Sequence, residues 1–193
     1  MLPREYSLLN DFLYNAIFIP QGLPPPPKNI IMNDELQVYI KNFGKQKDDM
    51  ALVAEINNKI IGSVWTRIMN DYGHIDNDTP SLAISLYKEY RGYGIGTALM
   101  QNMLSLLKQY GYKRVSLSVQ KVNYAVKMYK NLGFIIVGEN QEEYIMTYNF
   151  VMGWLYLVFF IKEIALLLKA NTQPLYYTEK SNETTVAFSM SAK

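Results

Sequence analysis

The first 45 residues carry apolar side chains at helical spacing, interrupted by a run of prolines. The stretch SLLNDFLYNAIF has the i, i+3, i+4 spacing of one helix face, which predicts a helix with Ser7 as its N-cap. The prolines at 24–27 predict a stiff connector that ends it. NDELQVYIKNFG then predicts a short second helix, with Asn33 as its N-cap and Gly44 as its stop.

From residue 50 the pattern changes to runs rich in β-branched and aromatic residues, which are typical of strands. MALVAEINNKIIGSVWTRIM predicts a hairpin around Asn57-Asn58-Lys59, and SLAISLY predicts a third strand. TALMQNMLSLLKQYG returns to helical spacing and stops at Gly111. RVSLSV predicts a strand, NYAVKMYKNLG a helix closed by Gly133, and FIIVGENQEEYIMTYNF a second hairpin. The order α-α-β-β-β-α-β-α-β-β predicts a mixed α/β fold in which helices cover both faces of one sheet.

The compact pattern closes near residue 150, which predicts one domain at 1–150 and an extension at 151–193. Residues 150–168 are apolar except for a lysine and a glutamate near the middle, and residues 169–193 are polar. Each charge costs about 2.5–3.5 kcal/mol near the centre of a bilayer. We therefore expect the apolar segment to pack on the domain, on a second subunit as a homodimer, or in a membrane interface. A true membrane span and a terminus foreign to the domain are the remaining alternatives.

The composition of the chain excludes several kinds of partner and active site. The chain of 193 residues has a formal charge of +2 and no long block of like charges, so no nucleic-acid partner is expected. It has no cysteine and one histidine, His74, which excludes disulfides, a cysteine nucleophile and a multi-histidine metal site. The N-terminal stretch lacks the features of a signal peptide, so we expect a cytoplasmic protein.

A glycine-rich stretch, RGYGIGT at 91–97, follows a predicted strand and opens a predicted helix. Glycines let the backbone approach an anion, and the first N–H groups of the helix can hold it. A P-loop would need a lysine after the glycines, and a dinucleotide loop would need a glycine where Thr97 stands. Two interpretations remain from the residues alone: a [QR]xxGxG phosphate loop, or a strand-to-helix turn that binds nothing.

Residues 50–149 resemble the GNAT superfamily of N-acetyltransferases. LAISLYKEYRGYGIGTALM is similar to the acetyl-CoA-binding segment of that family, and NYAVKMYKNLGF to the signature that follows it. The separation from Arg91 to Asn123 matches as well. The resemblance implies the GNAT fold: a central, mostly antiparallel twisted sheet with a V-shaped splay between strands 4 and 5 of the family's count. In this sequence those strands are 81–87 and 114–119. NAIFIP and residues 48–68 are similar, more loosely, to a bacterial branch.

The resemblance also implies acetyl-CoA as co-substrate and direct transfer of its acetyl group to a primary amine of a small molecule or peptide. Backbone groups of Ile84, Ser85 and Leu86 would pair with the pantetheine arm, and the Leu86 N–H would polarise the thioester carbonyl. The residues expected around the pyrophosphate are Arg91, Gly92, Tyr93, Gly94, Ile95, Gly96 and Thr97. Asn123 would bond the pantetheine or the substrate. The same match makes Tyr129 the candidate general acid for the departing thiolate, although a tyrosine on the apolar face of a helix is also a normal core residue.

The general base stays open. Relatives that acetylate protein N-termini carry a glutamate where this chain has Ser118, which puts that substrate class in doubt. The alternatives in the sequence are polar residues of the loop before the third strand and one glutamate of the first hairpin: His74, Asp76, Asp78 and Glu55. If none of them can act, the chain would be a non-catalytic acyl-CoA-binding module. A membrane-attached interaction protein is the third alternative.

Overall fold

The computed structural model describes residues 1–150, and within them the predicted order of helices and strands is confirmed. The helices are α1 (Leu9–Ala16), α2 (Asp34–Gln37), α3 (Ile95–Gln109) and α4 (Ala125–Leu132). The strands are β1 (Met50–Ile56), β2 (Lys59–Arg67), β3 (Ser81–Leu86), β4 (Arg114–Gln120), β5 (Ile135–Glu139) and β6 (Glu143–Asn149). The predicted extension at 151–193, which includes all of the apolar segment except Phe150, lies outside the described residues. Among residues 1–150, no helix is long and apolar enough to cross a membrane.

The six strands form one sheet in the order β1-β2-β3-β4-β6-β5. Neighbouring strands are antiparallel except β3 and β4, which run parallel with Ser81 opposite Ser116. The mixed α/β class and the mostly antiparallel sheet are therefore confirmed. The parallel pair corresponds to the strands for which a splay is predicted, but it is the third and fourth strand here, because the part of the chain before Met50 is helical or irregular in the structure.

Both faces of the sheet are covered, as the alternation along β2 shows. Val64 is fully buried in the cluster formed with α3 and α4, and its neighbour Trp65 is fully buried in the cluster formed with α1. Successive side chains of a strand point to opposite faces, so one strand serves two apolar layers. The hairpin between β1 and β2 turns through Asn57 and Asn58, whose φ angles of 50° and 62° suit the tight turn that the two asparagines predict.

Two predicted helix boundaries are wrong. A 3-10 segment, Pro3–Leu8, precedes α1, so Ser7 lies inside it and the α-helix begins at Leu9 without a side-chain cap. A proline in the first turn of a helical segment loses no hydrogen bond, which allows helical structure to start earlier than Ser7.

The second helix is much shorter than predicted and ends at Gln37, after which the chain continues in turns. The reason is a buried arginine. Arg67 donates from Nη1 to the carbonyl oxygens of Val38 and Lys41, each at 3.0 Å, and pairs with Asp49 through Nε–Oδ1 at 2.9 Å. Carbonyl groups that a longer helix would use internally are directed instead at the guanidinium group.

Candidate active site

A cavity of about 630 Å³ lies between β3 and β4. The two strands are joined where Ser81 stands opposite Ser116, and the Ser116 N–H donates to the Pro80 carbonyl at 3.0 Å. No further pair joins them within the part of the chain that the structure describes. Their carboxyl-terminal halves line the cavity instead. This is the geometry that a splay between the two strands would produce.

The backbone of β3 offers hydrogen-bonding groups to the cavity. The Tyr87 N–H donates to the Ile61 carbonyl of β2 at 3.0 Å. Because backbone groups alternate in direction along an antiparallel strand, Ser85 also faces β2, while Ile84 and Leu86 face the cavity. The Ser85 hydroxyl donates to the Phe12 carbonyl at 2.7 Å and ties α1 to the sheet. Of the three predicted residues, Ile84 and Leu86 therefore have their backbone N–H groups on the cavity side.

The glycine stretch forms the turn that opens α3. Gly92 and Gly94 have φ angles of 86° and 80°, in the left-handed region that favours glycine, and Gly94 is the N-cap of the helix. A Cβ on either residue would meet no atom within 4 Å, so their conformation, and not crowding by the protein, requires glycine. Of the predicted residues of this turn, the cavity is lined by Arg91, Gly92, Gly94, Gly96 and Thr97.

Two predicted residues of this turn do not line the cavity. The Tyr93 side chain is 78% exposed, and Ile95 packs against the apolar cluster beneath α3. Arg91 does line it, and its guanidinium donates from Nε to the Leu86 carbonyl at 3.0 Å and from Nη2 to the Asn15 carbonyl at 2.9 Å. This arginine thus fixes the glycine turn to the end of β3 and to α1.

Tyr129 on α4 lines the same cavity and is 8% exposed. Its ring packs on Phe134 with the centroids 5.8 Å apart. Its hydroxyl has no hydrogen-bond partner among the described residues and is not sealed from solvent, so it reaches the cavity. Burial, with a smaller contribution from Tyr124, raises the pKa of the Tyr129 phenol above its ordinary value. The group therefore keeps its proton at neutral pH and can donate it.

Asn123 lies at the start of α4 and lines the cavity as well. Its side-chain oxygen accepts the Ala125 N–H at 2.9 Å, so that oxygen already serves the helix terminus. The predicted bond to a ligand would then come from the amide NH₂ group.

None of the four predicted base candidates lines the cavity. The His74 ring Nδ1 lies 2.9 Å from the Met69 carbonyl. Asp76 pairs with Arg114 and accepts a hydrogen bond from Thr79 at 2.6 Å, and the Thr79 bond is the main cause that lowers the pKa of its carboxyl. Asp78 and Glu55, the other two, are exposed.

A carboxylate that the sequence analysis missed does line the cavity. Glu143, the first residue of β6, accepts a hydrogen bond from the Ser118 hydroxyl at its Oε2, at 2.6 Å. The register of β4 and β6 places Gln120 opposite Glu143, so Ser118, two residues away on the same face, is its diagonal neighbour. Ser118, which cannot itself act as a base, thus contacts a carboxylate from the adjacent strand.

Two tyrosines line the cavity near this carboxylate. The Tyr39 hydroxyl donates to Asp71 Oδ2 at 2.9 Å, and the Tyr72 hydroxyl donates to Glu35 Oε2 at 2.8 Å. Burial and then Asp71 raise the pKa of Tyr39, and the hydrogen bond to Glu35 raises that of Tyr72. The charge of Glu143 makes a smaller contribution to both shifts, and all three side chains line the one cavity.

Comparison with known proteins agrees with this geometry. The sequence model of the acetyltransferase (GNAT) family matches residues 16–134. An N-alpha-acetyltransferase of Sulfurisphaera tokodaii is 31% identical over 47% of this chain and 59% of its own length. The human N-acetyltransferase 8B is 25% identical over 58% of this chain and 50% of its own. The chain thus spans only about half to three fifths of these relatives. They are archaeal and eukaryotic, so a bacterial origin stays a prediction.

Solved structures share the fold. An acetyltransferase of the GNAT family from Streptococcus pneumoniae has a TM-score of 0.55 and 21% identity, covering 78% of this chain and 96% of that one. The ribosomal-protein-S18-alanine N-acetyltransferase of Escherichia coli has a TM-score of 0.55 and 16% identity, covering 79% and 92%. Neither the binding-module alternative nor the membrane-attached alternative gains support from these matches. The family match covers most of the chain and includes both the glycine turn and Tyr129, and the chain belongs to the GNAT family of acetyltransferases.

Proposed function

We propose that the chain is an N-acetyltransferase that transfers the acetyl group of acetyl-CoA directly to a primary amine. The observation that carries this proposal is the cavity between β3 and β4. It brings together the glycine turn of α3, the open backbone edge of β3 and the phenol of Tyr129. Family membership supports acetyl-CoA as the co-substrate.

The lining residues fit a phosphorylated, extended ligand. The left-handed glycines Gly92 and Gly94 leave open space beside the first N–H groups of α3, where a pyrophosphate would be held by backbone donors and the helix dipole. The N–H groups of Ile84 and Leu86 face the cavity and would pair with the amides of the pantetheine arm as a strand does. Acetyl-CoA supplies the activated acetyl thioester to this site.

Two groups of the chain would then assist the transfer. The Leu86 N–H is a fixed donor for the negative charge that develops on the thioester oxygen. Tyr129, whose raised pKa keeps its hydroxyl protonated, would donate that proton to the sulfur as the carbon–sulfur bond breaks. Both groups are held by packed elements, so little reorganisation is needed during the reaction.

The test is Tyr129→Phe, with Tyr148→Phe as a matched control. Both tyrosine rings pack on Phe134, at 5.8 and 5.5 Å, but Tyr148 does not line the cavity. Release of CoA thiol would be followed with a panel of primary amines. Tyr129→Phe should lower kcat about 10²-fold, the lower end for general acids because a thiolate is a good leaving group, and should retain acetyl-CoA binding. Equal rates for the two variants would show that Tyr129 is not the acid.

A further inference from the structure

The cavity contains a second group of side chains that acetyl-CoA binding does not require. Glu143 and Ser118 lie on neighbouring strands and are joined by a 2.6 Å hydrogen bond, and Tyr39 and Tyr72 line the same cavity. A cavity that holds a carboxylate together with aromatic side chains is a suitable environment for an alkylammonium ion, which is attracted by the negative charge and by aromatic rings.

The charges around this part of the cavity are negative. Asp71 accepts hydrogen bonds from Tyr39 and from the Ser81 hydroxyl, at 2.9 and 2.7 Å, and Glu35 accepts one from Tyr72. Both carboxylates therefore lie at the hydroxyl groups of tyrosines that line the cavity. They add to the negative potential of Glu143.

The positive charge that lines the cavity belongs to the glycine turn and not to β4 or β6. Arg91 is the one lysine or arginine among the lining residues that the structure describes. Its guanidinium already donates to the carbonyls of Leu86 and Asn15 at the glycine turn. Among the lining residues that the structure describes, a carboxylate on the acceptor would therefore find no cationic partner apart from Arg91.

Tyr129 lines the same space. Its side chain is 8% exposed, and its hydroxyl has no hydrogen-bond partner among residues 1–150. The hydroxyl is therefore free to donate to a ligand or to water in the cavity. The acid proposed for the thiolate and the carboxylate of Glu143 line one cavity.

We propose that Glu143 binds the ammonium group of the acceptor and receives its proton, and that the acceptor is a primary amine without a carboxylate next to the nitrogen. This inference rests on the proposed acetyltransferase function and names the acceptor class of the same site. Two sources share this chemistry: the N-terminus of a peptide and an alkylamine such as a diamine.

The transfer balances with these two residues. The ammonium nitrogen gives one proton to the Glu143 carboxylate, and its lone pair forms the nitrogen–carbon bond to the thioester carbonyl. The carbon–sulfur bond breaks, and the sulfur leaves with the proton of Tyr129. The new amide nitrogen loses its second proton, which restores the Tyr129 phenol through water, and the Glu143 proton passes to solvent. One amide, one CoA thiol and one released proton result.

The first experiment compares alanine with alaninamide, which differ in the carboxylate alone. With the wild-type protein and acetyl-CoA, kcat/KM should be at least tenfold higher for alaninamide when the concentration of each amine is expressed as its protonated form, which is the form that Glu143 binds. Equal values would overturn the assignment. Turnover of alanylalaninamide would support the assignment and identify a peptide as the source, and turnover of 1,4-diaminobutane would identify an alkylamine. If the protein acetylates neither amine, the assignment is wrong.

The second experiment compares Glu143→Gln with Glu142→Gln, which remove the same charge from adjacent residues. Glu142 is exposed and does not line the cavity. Glu143→Gln should lower kcat/KM for alaninamide at least 100-fold, as expected for a lost general base, with acetyl-CoA binding unchanged. Glu142→Gln should match the wild type. Ser118→Ala, which keeps the Glu143 carboxylate, should lower kcat/KM for alaninamide less than Glu143→Gln does.

The failures of the two proposals are distinguishable. Absence of turnover with every amine refutes the acetyltransferase itself, whereas turnover that Glu143→Gln leaves intact refutes only the role of Glu143. Calorimetric titration of alaninamide into the CoA-saturated protein adds a readout independent of turnover. We expect binding to the wild type and at least tenfold weaker binding to Glu143→Gln, and equal binding would count against the site.

Discussion

Two glycines at opposite ends of α3 allow the cofactor role of the glycine turn to be separated from its role in the fold. Gly94 at the N-terminal end has a φ of 80°, and Gly111 after the C-terminal end has a φ of 81°. A Cβ would meet nothing within 4 Å at either position. Gly94 lines the cavity and Gly111 does not. Alanine at the two positions therefore imposes the same backbone strain in two different places.

The strain can be estimated from the left-handed conformation. An L-residue in that region costs about 1–2 kcal/mol relative to glycine, and no clash adds to this at either site. The free energy of unfolding of each variant should therefore be about 1–2 kcal/mol lower than that of the wild type. Only Gly94→Ala places a methyl group beside the proposed pyrophosphate. Loss of one hydrogen bond to a charged group costs about 1.5–3 kcal/mol, so acetyl-CoA should bind about 10- to 160-fold more weakly.

Denaturant unfolding and calorimetric titration with acetyl-CoA would measure the two quantities on the same samples. We expect equal stability losses and a loss of affinity in Gly94→Ala alone. If Gly94→Ala binds acetyl-CoA as tightly as Gly111→Ala does, the glycine turn does not hold the pyrophosphate. If either variant is as stable as the wild type, its left-handed conformation does not strain an alanine.

Two further predictions concern the fold. Asp49→Ala leaves the buried Arg67 guanidinium without its partner and should lower the free energy of unfolding by about 3–5 kcal/mol in denaturant melts, whereas the exposed Asp78→Ala should change it by less than about 0.5 kcal/mol. Asp76 has a pKa below its ordinary 3.8 in the folded state, chiefly because Thr79 donates to it. Its contribution is therefore present at neutral pH and lost as the pH falls below 3.8, so melts of wild type and Asp76→Asn should converge in acid but differ at pH 7.

Much of the fold follows from local patterns. The turn at Asn57-Asn58 lies between two strand-like runs, and the helix α3 has an unbroken apolar face that stops at a glycine. Both elements can therefore be predicted from a short stretch of sequence. The second helix is different. Its early end depends on the Arg67 guanidinium, which comes from a strand 26 residues beyond Lys41 and takes carbonyl groups that the local sequence assigns to a helix.

The residues of the candidate site likewise differ in whether a local stretch of sequence predicts them. The glycine turn and Tyr129 are parts of continuous motifs, so resemblance to a family finds them. Glu143 is brought to the cavity by the register between β4 and β6, and its contact with Ser118 spans 25 residues of chain. The sequence shows that Ser118 cannot act as a base, but it does not show which carboxylate a neighbouring strand places beside it. The base candidates that the sequence offers in the loop before β3, namely His74, Asp76 and Asp78, do not line the cavity.

The most direct test of the proposed reaction is a rapid-quench, single-turnover experiment with acetyl-CoA carrying a deuterated acetyl group and with alaninamide as the amine. Mass spectrometry would count the labelled acetylalaninamide, the free CoA thiol and any labelled protein at each time. Direct transfer in the cavity predicts one acetylated amine for each thiol, with no acetylated protein at any time. Thiol release without acetylated amine, or acetylated protein that forms before the product and decays into it, would contradict direct transfer.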